Sequence, residues 1–198
     1  MYTVIDFETT GLNHRTDQII EIAAIKLNED LVECGRLHLY INTNIKLSDF
    51  ITEYTGITNE FLEKNGISYN SAMTILENFI DSDTVVAQYA PFDLSFIENR
   101  HVFQCNFICT RSLNLMAFPT ENSSLGHTCK RLGIKLDVAH RAMNDVEATV
   151  ELFKYHCNYT VPYALENTLV INDRTLNYIP LKTKSIKHVS GIDLYAIL

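Results

Sequence analysis

The sequence predicts an α/β fold, a mixed sheet covered by helices on its faces, on three observations. The first 42 residues hold three strand-like apolar segments joined by short loops. Helical and strand-like patterns then alternate along the chain. Its 198 residues are 46% hydrophobic and 20% charged, which suits one compact domain with at most a small appendage. Disordered, collagen-like and coiled-coil chains are excluded by the same composition.

Residues 2–7 (YTVIDF) are β-branched and aromatic and read as a strand; TTGLNHRTDQ follows as a polar loop, and Ile19–Leu27 (IIEIAAIKL) reads as a second strand. Residues 36–42 (RLHLYIN) alternate polar and apolar, a half-exposed third strand that completes a meander. Residues 58–64 and 70–80 have helical spacing, 84–89 (TVVAQY) form a short strand, and 92–100 (FDLSFIENR) are helical again. A strand is expected over 106–113, a helix over 124–132 stopped by Gly133, and a longer helix over 142–157. In that last helix Met143, Val146, Val150, Phe153 and Cys157 recur at steps of three and four, a buried stripe. Beyond Pro162 the composition shifts, and TLVINDRTLNYIPL reads as two strands around an Asn172-Asp173 turn.

No run approaches the roughly 18 uncharged apolar residues of a membrane span, and the start MYTVIDFETTG lacks a basic segment followed by a long apolar one, so a cytoplasmic protein with no membrane partner is expected. Five cysteines spread over apolar segments suit reduced core thiols; Cys105 and Cys109, with His101, His127 and Cys129 nearby, offer zinc ligands only within an apolar stretch. A net charge of −8 argues against holding nucleic acid on a broad basic surface. It leaves open an enzyme whose acids bind metal ions that in turn meet phosphate.

The acids that matter begin with Asp6 and Glu8. At i and i+2 of a strand their side chains share a face. Such spacing is common in a chain with 24 acids; what distinguishes this pair is the apolar run Val4-Ile5-Asp6-Phe7, which belongs in a core, where a carboxylate needs a partner. Asp93 follows the strand TVVAQY and the turn Ala90-Pro91, and so falls in the first turn of a helix at the same sheet edge. His140 and Asp145, five residues apart, would stand about 140° apart if both were mid-helix. His140 is therefore expected in the loop before the helix and Asp145 in its first turn. A loop His beside acids reaches water and titrates near working pH, as a general base requires. Carboxylates at this density suit two divalent ions, Mg2+ or Mn2+ because the donors are all oxygens.

These segments resemble the DEDDh exonucleases, the DnaQ-like group that includes proofreading subunits of replicative polymerases. VIDFETTGL resembles the family's first motif, VAQYAPFDLSFI the second and HRAMNDVEATVELF the third; IIEIAAIKL and NSSLGHTCKRLGI resemble the segments that accompany them. The resemblance covers about residues 1–158 and implies a ribonuclease H-like, five-stranded mixed sheet between helices, leaving 159–198 as a C-terminal β extension, a hairpin plus tail. It implies that Asp6, Glu8, Asp93 and Asp145 ligate two Mg2+ or Mn2+ ions, with Glu8 bridging them and His140 as general base. It also implies substrate contacts at Thr9, Thr10, Gly11 and Leu12, at Ile57 within Thr55-Gly56-Ile57-Thr58, and at Tyr89 and Phe92. Gln88-Tyr89 stands where the family commonly has His-Asn, and Thr55 where His is frequent; Tyr89 is placed either to stack on a base or to pack. The activity implied is 3′-to-5′ removal of nucleoside 5′-monophosphates from single-stranded or frayed DNA ends. Short RNA as substrate, and a binding module with little turnover, are the alternatives. The expected partners are a single-stranded 3′ end and a polymerase or other nuclease complex.

Overall fold

Strands β1 (Tyr2–Thr9), β2 (Ile19–Leu27) and β3 (Glu33–Tyr40) pair antiparallel as the expected meander. Strands β4 (Thr84–Ala87) and β5 (Phe107–Cys109) join in parallel on the far side of β1, giving the five-stranded mixed order β3-β2-β1-β4-β5. The computed structural model describes residues 1–99, 103–137, 141–159, 162–172 and 175–189.

Among the described residues seven α-helices accompany the sheet: α1 (Asp49–Thr55), α2 (Asn59–Asn65), α3 (Tyr69–Ile80), α4 (Ala90–Glu98), α5 (Thr110–Ala117), α6 (Leu125–Leu132) and α7 (Ala142–Tyr159). Alternation along β1 divides the core. Ile5 and Phe7 pack with α3 and α4 through Met73, Leu76, Ile80, Leu94 and Ile97. Tyr2 and Val4 point to the other face, against Val146, Val150 and Phe153 of α7. Asp6 and Glu8 have the parity of Tyr2 and Val4, so they emerge on the α7 face at the end of β1. Register places Ala23 opposite Asp6 and Glu21 opposite Glu8, with Tyr40 beyond Glu21 and His38 beyond Ala23. These residues therefore share that face.

Two expectations are corrected. The strand expected over 106–113 stops at Cys109, the partner of Ala87, because β4 ends there and offers no further ladder; Thr110 instead hydrogen-bonds the Gln88 side chain as α5 begins. Among the described residues of the C-terminal segment, the pairing is parallel rather than that of the expected hairpin: β6 (Thr168–Ile171) runs beside β7 (Ser185–His188), while Asp173 of the expected turn lies outside the described residues. This small sheet is attached to the larger one, since the Asn167 N–H donates to the Phe107 carbonyl at 2.8 Å while Asn167 Oδ1 accepts the Phe107 N–H at 3.0 Å. Tyr178 Oη and the Leu181 N–H both donate to Glu98 Oε2, at 2.7 and 2.9 Å, which fastens the extension to α4. Among the described residues no helix is long and apolar enough to cross a membrane.

At the start of β1, buried Asp83 accepts from Thr3 Oγ1 at 2.8 Å and pairs with Lys26 Nζ at 2.9 Å. Asp83→Ala leaves a largely buried ammonium unmatched. It is expected to cost about 2–3 kcal/mol in urea unfolding while leaving activity at permissive temperature unchanged. An unchanged unfolding midpoint would contradict this.

Candidate metal centre

The acids converge because three chain ends meet. β4 ends at Ala87, opposite Ile5, so Asp6 to Thr9 of β1 extend beyond it. Into that space comes the first turn of α4, where Pro91 presets the helical backbone and Asp93 sits at the positive end of the helix. From the other face α7 supplies Asp145 in its own first turn, as expected. Ligand oxygens of Asp6, Glu8 and Asp145 all lie within 4.8 Å of one another, and among the described residues this is the one such group of His, Cys, Asp and Glu side chains. Cys105, Cys109 and Cys129 are buried free thiols.

Electrostatics show what the group lacks. Burial, then Asp93, Asp145, Glu8 and Glu21, hold the Asp6 carboxyl well above the usual carboxylate range. Burial and the charges of Asp145, Glu21 and Asp93 push Glu8 up to about 8, with Arg141 opposing them. Burial pushes Asp93 up to about 8 against hydrogen bonds from its own and the Phe7 N–H. Asp93 Oδ1 is buried with no hydrogen-bond partner among the described residues. Mutually repelling carboxylates with an unsatisfied buried oxygen fit a divalent cation, and an all-oxygen donor set favours Mg2+ or Mn2+. Asp93 lies outside the tight trio, yet its charge acts on Asp6.

Around the acids, the loop after β1 is built on Asp17. Asn13 N–H donates to Asp17 Oδ2 at 2.8 Å, and a Cβ on Gly11 would sit 2.5 Å from that same oxygen, so a side chain there would push the Asp17 carboxylate out of this turn. Thr9 Oγ1 donates to the Gly11 carbonyl at 2.6 Å, and Thr10 Oγ1 accepts the Gln18 N–H at 3.0 Å. Leu12, 82% exposed, projects from this loop. Ile57 is 2% exposed and packs with Ile20, Leu47, Ile51 and Leu62, so its side chain serves the core. Tyr89 and Phe92 are half-buried; the Arg111 guanidinium lies over the Tyr89 ring at 5.6 Å, and Phe92 meets Phe96 edge to face. His140 lies outside the described residues.

Two features escape the sequence reading. Glu21 is wholly buried beside the acids, and its signal was available: it is a lone carboxylate in the apolar run IIEIAAIKL. The other is α1, capped by Ser48 and by Gly56 at φ +71°, which buries Ile51 and Thr55 and leaves Phe50 and Tyr54 exposed and stacked, ring centroids 5.5 Å apart. The Tyr54 hydroxyl is raised by burial and then by the charges of Glu8 and Asp145, so Tyr54 senses the acid cluster.

Residues 3–153 match the protein family described as Exonuclease. The chain is similar to the PolC-type DNA polymerase III of Bacillus cereus, 35% identical over 155 residues covering 75% of this chain and 11% of that protein. It is 26% identical over 195 residues to the PolC-type polymerase of Clostridium perfringens, covering 95% of this chain and 13% of the relative. The chain thus spans about one eighth or less of these relatives' length. Its fold is shared with Exonuclease X in complex with 5′-overhanging duplex DNA, at TM-score 0.67 and 18% identity over 92% of this chain and 99% of that one. The nuclease domain of 3′hExo, a DEDDh family member bound to rAMP, superposes at TM-score 0.67 and 19% identity over 79% of this chain and 91% of that one.

Proposed function

Because the chain belongs to the exonuclease family, we propose that it removes nucleoside 5′-monophosphates one at a time from the 3′ end of single-stranded or frayed DNA. The observation that carries this reading is the convergence of Asp6, Glu8 and Asp145, with Asp93 beside them, on one sheet edge. Asp6, Glu8 and Asp145, with Asp93 beside them, would hold divalent ions, Mg2+ or Mn2+. When bound, such ions lower the pKa of water and neutralise charge on the leaving oxygen. Water adds to the terminal phosphorus, the P–O3′ bond breaks, and the shortened strand keeps a 3′-hydroxyl.

The chain's own residues divide the remaining work. His140, the residue before Arg141, takes the proton of the attacking water, as the DEDDh resemblance implies. The loop from Thr9 to Leu12 lies against the terminal nucleotide, with exposed Leu12 as a wedge between the last bases. Phe50 and Tyr54 present aromatic faces on which unpaired bases can stack, each worth about 1–3 kcal/mol, and this attraction does not depend on a basic surface. Tyr89 and Phe92, at the start of α4 beside Asp93, are the further substrate contacts the DEDDh resemblance implies. The polymerase relatives suggest a replicative polymerase as partner. The rAMP-bound neighbour supports a second reading, RNA as substrate.

The test is digestion of 5′-labelled single-stranded DNA and RNA of one sequence in Mg2+, Mn2+ or EDTA, with His140→Ala as control. A metal-dependent ladder shortening from the 3′ end on DNA, and lost in the variant, is expected. A ladder on RNA alone replaces the DNA reading, and no ladder on either polymer overturns both in favour of a binding module.

A further inference from the structure

We propose that Glu21 is a positioning residue whose buried carboxylate fixes the first turn of α7, and with it Asp145, against the Asp6–Glu8 edge of β1. This rests on the reading of those three acids as metal ligands.

Glu21 is 0% exposed and directly opposite Glu8 in the β1–β2 ladder. Its Oε1 is 2.7 Å from His38 Nε2 and 3.8 Å from an Arg141 guanidinium nitrogen, while Oε2 accepts the Ala142 N–H at 3.3 Å. Arg141 also donates to Tyr40 Oη at 2.9 Å, and the His38 and Tyr40 rings touch at 4.9 Å between centroids. One carboxylate therefore joins β2, β3 and the residue that begins α7. Three residues on, the Asp145 N–H donates to the Arg141 carbonyl at 3.1 Å, so wherever Arg141 and Ala142 are held, Asp145 follows.

The arrangement has an electrostatic cost. Glu21 adds negative charge beside Asp6 and Glu8 and raises both. A neutral, well-packed residue would avoid that repulsion and the desolvation of a charge. What a neutral aliphatic residue cannot do is accept hydrogen bonds from His38 of β3 and from the first residue of α7 at once. Metal ligands must stand within about 0.5 Å of their working positions, and groups that orient them typically account for 10–100-fold in metal affinity or activity.

The test compares wild type, Glu21→Gln and His38→Gln by Mn2+ calorimetry and steady-state digestion. Glu21→Gln keeps the shape and removes the charge; Mn2+ affinity and kcat should each fall by roughly 10–100-fold while KM for the oligonucleotide stays within about twofold. His38→Gln, on the half-exposed side of the same carboxylate, should move both in the same direction by roughly three- to tenfold. A Glu21→Gln protein that melts earlier but binds Mn2+ and turns over like wild type overturns the proposal. If Glu21→Gln does not fold, wild-type Mn2+ affinity in His38→Gln overturns it. Loss of the underlying metal reading shows differently, as a wild-type chain that does not bind Mn2+.

Discussion

Glu8→Gln is expected to lower turnover by roughly three to five orders of magnitude, or about 4–7 kcal/mol of transition-state stabilisation, while the chain stays folded. Gln fills the same volume and keeps one carbonyl oxygen, so the packing around β1 and α7 is preserved. It removes the negative charge from the residue read as bridging the ions and placed within 4.8 Å of both Asp6 and Asp145. The measurement is single-turnover digestion of a 5′-labelled oligonucleotide at saturating Mg2+, with circular dichroism to verify folding. Activity within tenfold of wild type would show that Glu8 is not at the reacting centre. Asp6→Asn should behave similarly.

In EDTA, stability should fall as pH rises from 6.5 to 8.5. The folded values of Glu8 and Asp93, both about 8, lie above their ordinary values of 4.5 and 3.8. Between those limits the folded state binds more protons than the unfolded, so ΔG of unfolding decreases with pH; the contribution is complete below about pH 4 and lost as pH rises through about 8. His156 acts in the opposite sense at lower pH. Burial and then Arg131 hold it at about 4, so its contribution is complete above 6.5 and lost as pH falls through 4. The window above pH 6.5 therefore excludes His156; the buried thiols, held above their ordinary range by burial, add to the same downward slope only near its upper end. Because the carboxylates interact, the loss there should be roughly 2–4 kcal/mol in total, about 5–15 °C in Tm for a chain of this size. Saturating Mg2+ or Mn2+ should abolish most of the slope, since the cation takes the place of the protons. Glu8→Gln should flatten it without metal and leave the metal-free protein more stable than wild type at pH 8.5. A metal-free Tm that is level or rises over this window would contradict the account.

Burial explains both what the sequence made legible and what it concealed. Strands β1 and β2 and helix α7 are long, apolar on one or both faces, and bounded by polar loops, so their periodicity sufficed. Asp6 was conspicuous because a charge in a core segment demands a partner, and Asp93 and Asp145 because each begins a helix after a strand or loop. Helix α1 is seven residues long, two turns in which exposed Phe50 and Tyr54 sit beside buried Ile51 and Thr55. No apolar stripe of that length can be distinguished from a loop. The β5–α5 boundary depends on where β4 stops, a long-range fact that residues 106–113 do not carry. The parallel pairing of Thr168–Ile171 with Ser185–His188 likewise depends on how Asn167 is held by Phe107. Glu21 was legible by the same rule that singled out Asp6, but its partners come from β3 and α7, which only folding assembles.

The central claim is that the acid cluster is a two-ion site, and electron paramagnetic counting of free Mn2+ during titration tests it most directly. The wild-type chain should take up two Mn2+ per molecule at pH 7.5, as a paired-ion site requires, and Glu8→Gln should lose the tighter of them. Identical uptake by wild type and Glu8→Gln, or no saturable uptake by either, would contradict the assignment of these carboxylates.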